Sequence, residues 1–182
     1  MNENKENKNN LEKNPAGTPD EKILVCDDDD KLRRTIQMLL ERKGYNIVTV
    51  DCGKKLLEKI DDDYYELIVL DMRMPDMDGI RVLEYLKKKQ IGKMKSNVII
   101  ITGHASEDIP IKALNLGVTD YILKPFELPE FLLSVERNMK LVRVMKEKEL
   151  FFKKMVEKSA GLKLTQSEME KLKSILESES KA

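Results

Sequence analysis

The chain has 182 residues, 41% of them hydrophobic and 36% charged, which suits one ordinary domain with tails and long solvated helices. Its 33 basic and 33 acidic residues cancel, so there is no overall basic field to hold nucleic acid or an anionic membrane. No apolar run approaches the roughly 20 residues of a membrane span, and the N-terminus lacks the apolar stretch of a secretory signal.

Residues 1–20 are rich in Asn, Lys and Glu and carry almost nothing to bury, so a disordered tail is expected there. A repeating pattern follows. Short β-branched runs, "KILVC" (22–26), "NIVTV" (46–50), "ELIVL" (66–70), "NVIII" (97–101) and "DYIL" (120–123), alternate with amphipathic stretches. Three of the runs are apolar almost throughout, as strands covered on both faces must be. The first helix is predicted over "DKLRRTIQMLLERKG", with Leu32, Ile36, Leu39 and Leu40 on one face and Gly44 as its stop. A shorter one follows in "GKKLLEKIDD". The third, "GIRVLEYLKKK", places Ile80, Leu83 and Leu86 at helical spacing. The fourth, "EDIPIKALNLG", closes at Gly117, and a fifth begins near Pro129. Cys26 and Cys52 stand in no metal-like spacing, so both read as small buried hydrophobic residues in a reducing, cytoplasmic compartment.

Strand–helix alternation of this kind implies an α/β fold, a doubly wound five-stranded parallel sheet with ligands outside the carboxyl ends of its strands. Four strands then deliver chemistry to one rim: Asp27 and Asp28 after the first, Asp71 after the third, Thr102 after the fourth and Lys124 after the fifth. The three carboxylates would repel or take up protons if left alone. A hard divalent cation such as Mg2+ resolves the conflict. Asp71 can then attack phosphorus, with Lys124 neutralising the transferring group and the Thr102 hydroxyl donating to a phosphoryl oxygen. The competing reading of the acidic run is a helix cap, supplied by Asp28 or Asp29.

"ILVCDDDDKLRR", "LIVLDMRMPDMDG", "VIIITGHAS" and "GVTDYILKPF" together resemble the receiver domain of two-component response regulators, a flavodoxin-like, chemotaxis-type family, over residues 21–138. The resemblance implies a bacterial signalling protein that accepts a phosphoryl group from a cognate histidine kinase on Asp71, with Mg2+ as cofactor. It makes Asp28 the direct metal carboxylate, Asp27 a ligand through water, and the main-chain carbonyl of Arg73 a further ligand. Thr102 and Lys124 would grip the phosphoryl group, and the Lys124–Pro125 bond would be cis. Thr102 and Tyr121 would form the switch. Pro75 and Gly79 would shape the loop after Asp71. Arg73 and His104, each two residues past a landmark, are candidates for setting the lifetime of the phosphoryl group. His104 is the sole histidine, so no histidine relay within the chain is expected. The first helix, around Arg33, Arg34 and Gln37, is where kinase specificity would lie. The protein is expected to be no enzyme beyond its own phosphoryl transfer and autodephosphorylation.

The family does not account for the end of the chain. From Pro129 to Gly161 no breaker intervenes, so one helix of about thirty residues is expected. That helix carries Val135, Val142, Met145, Phe152 and Val156 as a stripe, interrupted by Asn138 and Glu149, and its part over 139–160 is a helical extension that suits a short coiled coil and a homodimer. Residues 161–182 should hold a short amphipathic helix, with Thr165 and Glu168 as a capping box and Met169, Leu172, Ile175 and Leu176 on one face. The downstream partner is not legible. A DNA-binding transcriptional regulator, truncated or atypical, is the alternative, but the residues after the fifth helix are too few for a full DNA reader and no nucleic-acid partner is expected. A phosphatase with an aspartyl intermediate would need a D-x-D motif at the first strand and a cap insertion, whereas the chain has "DDDD" there and no insertion.

Overall fold

The computed structural model describes residues 17–18, 20–89, 96–103 and 108–159. The element order is β1 (Lys22–Cys26), α1 (Asp30–Arg42), β2 (Asn46–Val50), α2 (Gly53–Asp62), β3 (Leu67–Asp71), α3 (Gly79–Lys89), β4 (Asn97–Thr102), α4 (Asp108–Asn115), β5 (Asp120–Leu123) and α5 (Leu128–Ser159). The strands form one sheet in the order β2-β1-β3-β4-β5, and every pairing is parallel. The doubly wound sheet read from the sequence is therefore present. The chain turns outward from β1 to β2 and then crosses back to β3, so a crevice opens at the carboxyl ends of β1 and β3, where the connections leaving the two strands run in opposite directions.

Alternation along the central strands splits the core into two layers. Leu24, Cys26, Ile68, Leu70, Val98 and Ile100 face one side, against Leu56 and Ile60 of α2 and Val82, Leu83 and Leu86 of α3. Ile23, Val25, Leu67, Val69, Ile99 and Ile101 face the other, against Ile36 and Leu40 of α1 and Phe131, Val135 and Met139 of α5. In α3 the buried stripe is shifted from the expected one. Val82 joins Leu83 and Leu86, while Ile80 is only partly buried.

Helix ends follow local chemistry. Asp29 caps α1, its carboxylate accepting the N–H groups of Lys31 and Leu32 at 2.9 and 3.1 Å. Gly44 closes α1 with φ of 87° and Gly117 follows α4 with φ of 92°, the left-handed conformation that glycine adopts without cost.

Two boundaries lie further out than the sequence suggests. The described residues of the expected tail include Gly17, whose N–H donates to the Lys43 carbonyl at 2.9 Å. The rest of that tail, up to residue 16, lies outside the described residues, as do 160–182 with the expected capping box. At the other end, Met139 and Val142 are buried. The chain divides into two units, 1–142 and 143–182. Val135 and Val142 of the expected dimer stripe therefore belong to the core of the first. Asn138 is no interruption of a stripe but a buried core amide. Its carbonyl and side-chain oxygens accept from Asn97 Nδ2, both at 3.1 Å, and its own amide donates to the Ser134 carbonyl at 3.0 Å. In the second unit α5 runs on to Ser159 with Val144, Met145, Leu150 and Phe151 exposed. Among the described residues no helix is long and apolar enough to cross a membrane.

Candidate phosphoacceptor site

Asp71 is the last residue of β3 and Thr102 the last of β4, so both strands run one residue further than predicted. Carboxylate and hydroxyl nonetheless stand at the carboxyl edge, and both residues are buried. Asp27 follows β1 directly and is 2% exposed. The carboxylate oxygens of Asp27, Asp28 and Asp71 lie within 4.8 Å of one another.

Lys124, one residue beyond β5, supplies the counter-charge. Its Nζ donates to Asp27 Oδ2 and to Asp71 Oδ2, each at 2.7 Å. Its N–H also donates to the Thr102 carbonyl at 2.8 Å, which fixes the ends of β4 and β5 against each other. The Lys124–Pro125 bond is cis. Burial pushes the Asp27 carboxyl above its usual range, and Lys124 and the Asp29 N–H only partly offset this. Burial opposes the Lys124 charge, but its bonds to Asp27 and Asp71 prevail and its pKa lies above the usual value.

The loop after β3 is shaped by close packing. A Cβ on Gly79 would meet the Met72 Cα at 2.9 Å and its sulfur at 2.7 Å, so only glycine fits where α3 starts against that loop. The Asp71 carboxylate accepts the Arg73 N–H at 3.1 Å, which turns the chain back over the site. The Arg73 side chain is exposed. Tyr121 is half-buried on β5 against the α2–α3 layer of the core, and burial raises its phenol pKa. His104 lies outside the described residues. Cys26 is buried, and burial pushes its thiol up. Cys52, expected to be buried, is only half-buried at the start of α2.

The contacts of two residues near the site escaped the sequence reading. Asp76 caps α2 from a distance, its carboxylate accepting the N–H groups of Gly53 and Lys54 at 3.0 and 2.9 Å, where Cys52 at the N-cap makes no such bond. Local spacing cannot show a cap from another part of the chain. Arg33 binds the Asp27 carbonyl, and its neighbour Arg34 looks the same in sequence. Partial burial raises the Asp76 pKa, but its two N–H bonds prevail and lower it overall. Its contribution is therefore present at neutral pH and fades as pH falls below about 4. Asp76→Ala should cost about 1 kcal/mol in a urea titration at neutral pH, and the difference from the parent chain should shrink in acid. A pH-independent difference would show that the carboxylate does not act as a cap.

A doubly wound parallel sheet with three carboxylates, a buried hydroxyl and a lysine at its carboxyl edge defines the class of phosphoacceptor signalling domains. The chain matches the response regulator receiver domain family over residues 23–136, and it belongs to that family. The regulatory protein AtoC of Escherichia coli is 32% identical over 126 residues, 69% of this chain and 27% of AtoC. The chain spans less than half the length of three further curated relatives, transcriptional regulators from Caulobacter, Bacillus and Staphylococcus. A CheY-like receiver domain of Methanospirillum hungatei is 28% identical with a TM-score of 0.64, covering 69% of this chain and 98% of its own. The Thermotoga maritima response regulator TrrA, solved in complex with Mg2+–BeF, is 26% identical with a TM-score of 0.57, covering 65% of this chain and 98% of its own. The chain thus carries a two-component receiver domain, the part of a response regulator that receives phosphoryl groups from histidine kinases.

The residues present fit a hard divalent cation. All three converging side chains offer carboxylate oxygen, the donor Mg2+ prefers, and one lysine shared by two of them leaves the cluster net negative.

Proposed function

We propose that Asp71 is the phosphoacceptor of this chain and that Asp27, Asp28, Asp71 and the Arg73 main-chain carbonyl hold Mg2+. The observation that carries this reading is the Lys124 ammonium bonded to Asp27 and Asp71 at 2.7 Å each, beside a third carboxylate. An Asp71 oxygen attacks phosphorus, the bond from phosphorus to the kinase histidine nitrogen breaks, and that nitrogen keeps the electron pair. A carboxylate is itself the nucleophile, so no general base is required. Lys124 balances charge on the transferred group, and the Thr102 hydroxyl donates to one of its oxygens. When bound, Mg2+ supplies charge neutralisation for the phosphoryl oxygens. Movement of Thr102 toward the phosphoryl group, with Tyr121 rotating inward behind it, is the switch that changes a protein-binding surface. Arg73 and His104 set how readily water reaches the acyl phosphate. The chain acts in the cytoplasm and catalyses no reaction beyond its own phosphorylation and dephosphorylation. The kinase and the downstream partner are proteins, and the DNA-binding alternative is not favoured over this reading.

The test is direct. The chain incubated with acetyl phosphate and Mg2+ should gain one base-labile phosphoryl group, and a chelator should stop the gain. Uptake undiminished by the chelator would remove the metal from the reading.

Distal α5 is the handle for a homodimer. Val144, Met145, Leu150 and Phe151 are exposed there, and a helix gains by burying such residues against a partner. The full chain should pass from monomer to dimer at micromolar concentration in sedimentation equilibrium, while Leu150→Glu with Phe151→Glu should stay monomeric. Equal behaviour of the two chains would exclude Leu150 and Phe151 from the interface.

A further inference from the structure

Arg33 and Arg34 are adjacent on the first turns of α1, yet they are treated differently. The Arg34 side chain is 74% exposed, whereas that of Arg33 is 14% exposed. Helical side chains lean toward the N-terminus, and this lean carries the Arg33 guanidinium back over the β1–α1 turn. There Nη1 donates to the Asp27 carbonyl at 2.8 Å and Nη2 to Asp30 Oδ1 at 2.7 Å. All three oxygens of Asp27 are thereby engaged by different donors. Oδ1 accepts the Asp29 N–H at 2.8 Å, Oδ2 accepts Lys124, and the carbonyl accepts Arg33.

The carbonyl bond matters most. It fixes the peptide plane between Asp27 and Asp28, and that plane sets the direction in which the Asp28 side chain leaves the backbone. Asp28 is exposed, so the turn itself must aim its carboxylate at Asp27 and Asp71. The planar fork holds the carbonyl and the carboxylate at once through two separate nitrogens in a fixed geometry.

We infer that Arg33 is a positioning residue of the phosphoacceptor site, aiming Asp28 so that the three carboxylates converge on a divalent cation. The inference rests on the proposal that those carboxylates hold Mg2+. Partners that orient a metal's ligands typically contribute 10–100-fold to its affinity.

The experiment is calorimetric titration of the full chain with Mg2+, so that no phosphoryl transfer enters the readout. Arg33→Met, which keeps the apolar stem and loses every donor, should bind Mg2+ about tenfold more weakly, and Arg33→Ala should follow it. Arg33→Lys keeps the charge without the fork and should remain weak. Millimolar methylguanidinium should restore affinity to Arg33→Ala alone. Thermal melting in the absence of Mg2+ gives the purely structural contribution. A lower melting temperature with unchanged Mg2+ affinity overturns the inference. So does tighter binding, which would show that Arg33 acts only as a repelling charge near the cation. If the parent chain itself does not bind Mg2+, it is the underlying reading of the site that fails.

Discussion

Asp71→Asn should take up no phosphoryl group from acetyl phosphate and Mg2+ under conditions that label the parent chain fully. The amide has nearly the same shape as the carboxylate, so β3 and the bond from the Arg73 N–H to the side-chain oxygen can both persist. What it loses is the anionic nucleophile. An amide oxygen is a poor attacking group, and no neighbouring base can repair that. Labelling should therefore vanish. Intact-protein mass spectrometry before and after brief alkali treatment reads this directly. Normal labelling of Asp71→Asn would sink the assignment. The melting curve of the variant is the control, since Lys124 keeps its bond to Asp27 and the fold should survive.

The second large effect is on stability. Phe131→Ala should destabilise the receiver domain by about 3–5 kcal/mol, because an aromatic ring removed from a fixed core leaves a cavity. Phe131 has no exposed surface and lies among Ile99, Ile101 and Ile122 of the sheet. Its ring stacks obliquely on Phe126, with centroids 5.7 Å apart, so the loss also loosens the segment just after Pro125. A domain stable by only about 5–15 kcal/mol would be left marginal. Leu133, two residues away on the same helix and 63% exposed, is the internal comparison. Leu133→Ala should change stability by less than about 0.5 kcal/mol. Urea titrations of the two variants decide the matter, and similar losses would mean that α5 does not dock through Phe131.

Much of this was legible because period and position carry the information. The apolar runs of β1, β3 and β4 could only be strands covered on both faces. Once the sheet was parallel, Asp27, Asp71, Thr102 and Lys124 had to share one edge. Strand ends were less certain, since Asp71 and Thr102 are polar residues that still pair within the ladder. The stripe on α5 was misread for a clear reason. Val135 and Val142 sit at helical spacing with Met145, and spacing alone does not show where the sheet stops covering the helix. Asn138 looked like an interruption because its partner, Asn97, lies 41 residues earlier. The contacts of Arg33 and Asp76 were missed on the same ground. Each acts on backbone groups whose position only the folded chain defines.

The cap on α2 has a practical side. Asp76 is five positions after Asp71, yet its carboxylate rests on two amide protons 22 and 23 residues earlier. The resonances of Gly53 and Lys54 are therefore local sensors of a loop they do not belong to. Their solvent-exchange rates register each excursion of that loop, without a probe attached to the loop itself.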